Sequence, residues 1–141
     1  MHNVVIVGGG PAGLSAALAA VAAGAPVLLI DSNPRLGGQY WRQPDESFGD
    51  QTSQHFDLET GLLLINAVKA RKEIEVWSGA QIWSATHKDG VNTLRVLLNG
   101  KEKIVNTGNL ILCTGAYDRT LPFPGWDIPG VMTPGGVQSL I

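Results

Sequence analysis

Gly8-Gly9-Gly10-Pro11-Ala12-Gly13 sets three glycines at G-x-G-x-x-G spacing directly after the β-branched run Val4-Val5-Ile6-Val7. Between a strand and a helix, such a turn can cradle a pyrophosphate. Gly8 permits the tight turn, Gly10 lets the backbone approach the phosphates with no β-carbon in the way, and Gly13 lets helix and strand pack closely. The helix N–H groups and dipole then hold the anion. Asp31 follows Gly13 by 18 residues at the end of a second apolar run, where a carboxylate can accept hydrogen bonds from both hydroxyls of an adenosine ribose. The competing reading makes the glycines a packing turn and Asp31 a cap on the turn through Asn33 and Arg35. Ser32 and Asn33 carry no charge, so a 2′-phosphate finds little help beyond Arg35.

The remaining chemistry-bearing residues are scattered. His2, His55 and His87 lack the mutual spacing and the Cys or carboxylate neighbours of a zinc site. Cys113 is the sole cysteine, so it forms neither an internal disulfide nor a C-x-x-C pair, and at the end of an apolar strand it reads as a buried, inert thiol. Tyr40 and Trp41, in a glycine loop, fit equally the wall of a ring-binding site and the packing of a lid. Trp77 and Trp83 sit at strand spacing and are expected in the core. No residue stands out as a catalytic acid or base.

The elements that must position these residues follow from local pattern. Val4–Val7 and Val27-Leu28-Leu29-Ile30 are short apolar runs without alternation, as expected of strands buried on both faces of a parallel sheet. Between them Pro11 suits a first helical turn, and Ala12–Ala23 continues with small residues on every side until Gly24 and Pro26 end it, which predicts a buried helix and a β-α-β unit over residues 4–30. Asp31–Phe56 is polar and loop-like, with Gly37, Gly38, Pro34, Pro44 and Gly49. Asp57 or Thr60 can cap a helix reaching about Lys72, with Leu58, Leu62, Ile65 and Val68 on one face and basic residues in its last turn. From Ile74 the period changes to strands. Asp89-Gly90 and Asn99-Gly100 are hairpin dipeptides, so the stretch reads as an antiparallel meander with its body at about 79–107. Leu110-Ile111-Leu112-Cys113 is a further strand, expected to be buried, before a proline-rich tail.

Composition bounds the functions open to such a chain. With 141 residues and 44% hydrophobic side chains it fills one domain. A net charge of -2 leaves no excess to neutralise a nucleic acid backbone or an anionic membrane, so neither is expected as a partner. The uncharged stretch Val4–Ile30 is broken by glycine and proline and is not a membrane span, and Met1-His2-Asn3 provides no basic leader. A cytoplasmic setting is expected.

Three stretches together resemble the FAD-binding domain of the two-dinucleotide-fold flavoproteins, the superfamily that includes the disulfide reductases. They are the glycine turn with Asp31, the loop Gly37-Gly38-Gln39, and Leu110–Ala116 followed by Arg119 and Pro122. Gly38-Gln39-Tyr40-Trp41-Arg42 and the tail Gly115–Trp126 are most similar to the FAD-binding subunits of opine oxidases, dye-linked proline dehydrogenases and hydrogen cyanide synthase. The likeness covers residues 3–44 and 109–141 well and 45–105 in layout only. It implies an α/β, Rossmann-like FAD-binding domain over residues 1–141, with a parallel sheet and an inserted antiparallel meander forming three layers. It implies a flavin-dependent oxidoreductase of a small amine, imino acid or opine-type substrate, or of NAD(P)H through a region outside this chain. A cysteine-free reductase of the thioredoxin-reductase type and a noncatalytic cofactor-binding or assembly module remain open as alternatives.

Residue by residue, the resemblance implies that Gly8, Gly10, Pro11, Ala12 and Gly13 hold the pyrophosphate and that Asp31 with Ser32 meets the ribose. Gly38 and Gln39 approach the ribityl and flavin end, backbone groups near Gln81 and Ile82 meet the adenine, and Thr114 and Gly115 close over the cofactor. Asp31 stands where the family more often has Glu, and the cysteine pair of the disulfide reductases is missing. The resembled sheet takes one more strand from a far C-terminal region, followed by an acidic residue at the cofactor. These 141 residues are therefore expected to form an oligomer or exchange a segment at an open sheet edge, with weak or absent FAD and no turnover unless a downstream domain or partner subunit is supplied.

Overall fold

The computed structural model describes residues 3–41 and 58–138. Element order is β1 (Val4–Val7), α1 (Pro11–Ala22), β2 (Val27–Ile30), α2 (Leu58–Lys69), β3 (Ile74–Trp77), β4 (Gln81–Lys88), β5 (Val91–Leu98), β6 (Lys101–Thr107), β7 (Asn109–Leu112) and the short α3 (Pro134–Gln138). Four strands form a parallel sheet in the order β3-β2-β1-β7, and β4-β5-β6 form an antiparallel sheet. Ile6, Leu14, Val27, Leu29, Ile65 and Val68 bury one face of the parallel sheet under α1 and α2. Val5, Leu28 and Ile30 on the other face meet Leu94, Val96 and Val105 of the meander. Alternate residues of each central strand thus serve opposite layers, which is why Val4–Val7 and Val27–Ile30 show no polar alternation. The three-layer α/β expectation is met.

Local chemistry set several boundaries. Helix α1 ends in a left-handed glycine cap: Gly24 has φ +82°, its N–H donates to the Val21 carbonyl, and the Ala25 N–H donates to the Ala20 carbonyl. Both meander hairpins turn on two residues of positive φ, Asp89 (50°) with Gly90 (77°) and Asn99 (52°) with Gly100 (72°), which matches the strand twist.

Five expectations are corrected. Ile74–Trp77 does not open the meander; as β3 it pairs parallel with β2, because α2 crosses the sheet and returns the chain beside that strand. Gly79, at φ +66°, then turns the chain out of the parallel sheet, its N–H donating to the Asn33 carbonyl. Trp83 is 61% exposed because Ile82 before it faces the core opposite Val96 and alternation turns the next side chain to the other face; its ring lies 5.6 Å from the Arg95 guanidinium. Helix α1 is buried along one face only, through Gly13, Leu14 and Ala17, with Ala12, Ser15, Ala19 and Ala22 exposed or half-buried. Helix α2 stops at Lys69, short of Lys72, and Thr60 lies inside it. Strand β7 is not buried: it stands at the end of the sheet order, and Ile111 and Leu112 are exposed. The other cap candidate, Asp57, together with His2, Arg42, Pro44, Gly49 and His55, lies outside the described residues.

A glycine inside α2 costs about 1 kcal/mol relative to alanine. Gly61 has a packing reason: a β-carbon there would stand 2.4 to 2.8 Å from atoms of the Trp41 indole.

Candidate functional site

The strand order reverses at β1, whose neighbours are β2 on one side and β7 on the other. In an open α/β sheet, ligands bind outside the carboxyl ends of strands at such a switch point. The glycine turn leaves β1 there, Asp31 leaves β2, and Cys113-Thr114-Gly115 leaves β7. A cavity of about 650 Å³ opens among them. It is lined by Gly8, Gly10, Pro11, Ala12, Asp31, Ser32, Gly38, Gln39, Ile82, Thr114 and Gly115, eleven of the thirteen residues expected at the site. Gly13 lies behind the wall, and Gln81, whose side chain is exposed, immediately precedes the lining residue Ile82.

The three glycines divide into two kinds. Gly8 has φ +105°, and a β-carbon on it would stand 2.1 Å from the Cys113 carbonyl oxygen; one on Gly13 would stand 1.8 Å from the Gly8 carbonyl oxygen. Both let backbones pack. Gly10 is extended (φ -78°, ψ -173°), and its β-carbon would meet nothing nearer than the Gly38 Cα at 3.8 Å. Its bareness therefore serves the cavity. Helix α1 starts at Gly10 with no side-chain cap, which leaves first-turn N–H groups for an anion.

Asp31 is almost fully buried. One carboxylate oxygen accepts from the Gly9 N–H, and the other accepts from the Asn33 N–H at 2.6 Å. The turn-capping role is thus present and also fixes the carboxylate at the cavity wall, where each oxygen keeps a second acceptor position. Ribose recognition and capping are compatible.

At the mouth, the Gln39 side-chain amide donates to the Ala116 carbonyl at 3.4 Å, joining the loop after β2 to the loop after β7. Each bridging residue is followed by a lining tyrosine, Tyr40 (52% exposed) and Tyr117 (81% exposed). The structure separates the two aromatic residues of the glycine loop: Tyr40 lines the cavity, whereas Trp41 turns into the helix-side core. Ile30, Ala80, Ala85, Leu94 and Leu112 complete an apolar wall, and Asn33, Ala116 and Tyr117 join the lining. Sequence reasoning did not select these; alternation along β5 was the available signal for Leu94, and the stretch after Thr114-Gly115 the signal for Tyr117.

His87 lies on an exposed hairpin, its Nδ1 3.0 Å from the Asn92 side-chain oxygen. Among the described residues no group of three His, Cys, Asp or Glu is placed to hold a metal, and no helix is long and apolar enough to cross a membrane. Cys113 is half-buried, lines the cavity and packs against the helix-side core. Its β-carbon is already an alanine's, so Cys113→Ala is expected to leave nucleotide binding within about twofold, a change of less than about 0.5 kcal/mol. Titration of the variant checks this, and loss of binding with the fold intact would give the thiol a direct role.

Residues 2–138 match the pyridine nucleotide-disulphide oxidoreductase family. The chain is 36% identical over 143 residues to an opine oxidase subunit of Agrobacterium tumefaciens (strain Ach5), covering 97% of this chain and 28% of the relative. It is also 36% identical over 143 residues to hydrogen cyanide synthase subunit HcnB of Pseudomonas protegens, covering 99% of this chain and 30% of the relative. The structure of L-proline dehydrogenase from P. horikoshii superposes with a TM-score of 0.72 at 26% identity over 92% of this chain and 25% of that one. The chain spans less than a third of the length of these relatives. A match that runs over residues 2–138, nearly the whole sequence, shows that this chain belongs to the pyridine nucleotide-disulphide oxidoreductase family.

Proposed function

We propose that this chain is the FAD-binding part of a flavin-dependent oxidoreductase acting on a small amine, imino acid or opine-type substrate. The observation that carries the reading is the cavity at the switch point, with Gly10 bare toward it and its lining formed by the fixed Asp31 carboxylate together with Gln39 and Ala116, which bridge two of the surrounding loops. These residues fit the cofactor's parts in order. Gly8 to Gly13 form the pyrophosphate turn, with Gly10, Pro11 and Ala12 at the surface and Gly8 and Gly13 behind it. Asp31 accepts from the ribose hydroxyls with Ser32 beside it, while Ile82 and the backbone near Gln81 form the adenine end. Gly38 and Gln39 meet the ribityl chain, and Thr114 and Gly115 close the side facing β7. A flavin held by these residues would supply the capacity to accept a hydride or electrons from the donor. The chain's own residues bind and orient it, and the apolar wall of Ile30, Ile82 and Leu94 excludes water from the nucleotide. The substrate class rests on the relatives named as opine oxidase and L-proline dehydrogenase.

The working enzyme also needs the rest of its polypeptide or a partner subunit. In support, β7 pairs only with β1 among the described residues, and Leu112 at its end is 68% exposed.

Fluorescence titration of the chain with FAD should show saturable, reversible binding displaced by ADP. Asp31→Ala should weaken both ligands about tenfold, the effect of losing hydrogen bonds to a charged group. Saturation by NAD with none by FAD would replace the reading with a nicotinamide domain. In the longer enzyme, bleaching of the flavin by an amine or imino-acid donor supports the substrate class, and bleaching by NADH alone favours the cysteine-free reductase.

A further inference from the structure

We propose that Trp41, which does not reach the cavity, is a positioning residue that sets how the site holds the flavin half of its ligand, as distinct from the ADP half; the inference rests on the FAD reading above. The three cavity-lining residues Gly38, Gln39 and Tyr40 are carried by one closed turn with an anchor at each end. At its start, the Gly37 N–H donates to the Gly9 carbonyl at 2.8 Å, fastening the turn to the pyrophosphate loop. At its end, the Trp41 N–H donates to the Gly37 carbonyl at 3.2 Å, and the indole seats in the notch that Gly61 opens on α2. Neither glycine has space for a side chain. A β-carbon on Gly37, at φ +119°, would stand 2.6 Å from the Trp41 carbonyl oxygen, and one on Gly61 would overlap the indole.

The indole is 7% exposed and fills the notch, and its N–H meets no acceptor among the described residues. Its ring meets Tyr40 edge-on, with centroids 5.8 Å apart and planes at 66°. The Gln39 amide reaches the Ala116 carbonyl from this same turn. Displacing the indole therefore moves Gln39 and Tyr40 together, at the mouth. The glycine turn and Asp31 keep their own anchors, Cys113 behind Gly8 and Asn33 behind Asp31. A loop held in its bound geometry gives affinity by lowering the ordering cost of binding, and only the ligand half that touches the loop loses that gain.

The test compares FAD with ADP on the 141-residue chain. Trp41→Leu empties the notch, Gly61→Ala pushes the indole out of it, and Trp41→Phe keeps an aromatic ring in place. In the first two variants FAD affinity is expected to fall about tenfold with ADP affinity within about twofold of the parent, through loss of preorganisation at one end of the site. Trp41→Phe should recover most of the FAD-over-ADP preference, and visible circular dichroism of bound flavin should change in Trp41→Leu and return in Trp41→Phe. Should Trp41→Leu not fold, Gly61→Ala carries the comparison. An unchanged FAD-to-ADP ratio in a folded variant, or an equal loss of both ligands, overturns the proposal and leaves Trp41 a packing residue. A parent chain saturated by NAD and not by FAD instead overturns the FAD reading beneath it.

Discussion

Gly10→Val is expected to abolish FAD and ADP binding while leaving the fold intact. Valine accepts the extended backbone found at Gly10 (φ -78°, ψ -173°), and its β-carbon meets only the Gly38 Cα at ordinary contact distance. The branched methyls then occupy the space in front of the α1 N-terminus, where a pyrophosphate would accept from backbone N–H groups. Losing two charge-assisted hydrogen bonds costs about 3 kcal/mol or more, a weakening of about a hundredfold. Thermal melting and nucleotide titration on one sample check both halves. Retained stoichiometric binding would remove the phosphate assignment from this turn.

Gly13→Ala is the opposite case, a single methyl that should damage stability first. The new β-carbon would stand 1.8 Å from the Gly8 carbonyl oxygen and 3.0 Å from the Gly8 carbonyl carbon, both backbone atoms with no rotamer to yield. Relief requires α1 to lift from β1, which opens the packing of Leu14 and Ala17 on the sheet. The cost is about 3 kcal/mol or more, a large share of an ordinary domain's stability. The midpoint of thermal unfolding should fall by about 10 °C or more. A midpoint within a couple of degrees of the parent would mean that helix and strand do not pack through this contact. Gly10→Val against Gly13→Ala thus separates two glycines that a motif treats alike.

Much of the site could be read in the sequence because its parts are local. The β1-turn-α1-β2 unit, the glycine cap on α1 and the two positive-φ hairpins depend on backbone preferences within a few residues, and all formed at the expected places. Asp31 was identifiable because the length of α1 fixes how far along the chain the end of β2 must lie. The errors came where local pattern permits two partners. Ile74–Trp77 has strand chemistry on either reading, and only the crossing of α2 assigns it to β2 and not to the meander. Trp83 follows the alternation of β4, and only the packing of Ile82 on the core decided which face of that strand points outward. Tyr40 and Trp41 were equivalent as aromatic residues in a glycine loop, and the notch at Gly61 on a distant helix decided between them.

By itself the sequence determined the α/β class, the glycine turn between β1 and α1 with the carboxylate after β2, and the places where the chain reverses, because short-range backbone sterics and hydrogen bonding specify them. Tertiary structure alone decided which glycine is bare toward the cavity, which aromatic ring lines it, and which apolar side chains of the meander wall it. Those outcomes depend on the approach of segments far apart in the chain, Gly8 on Cys113, Gly10 on Gly38 and Gly61 on Trp41, and close packing at such contacts is a property of the assembled layers that no local pattern encodes.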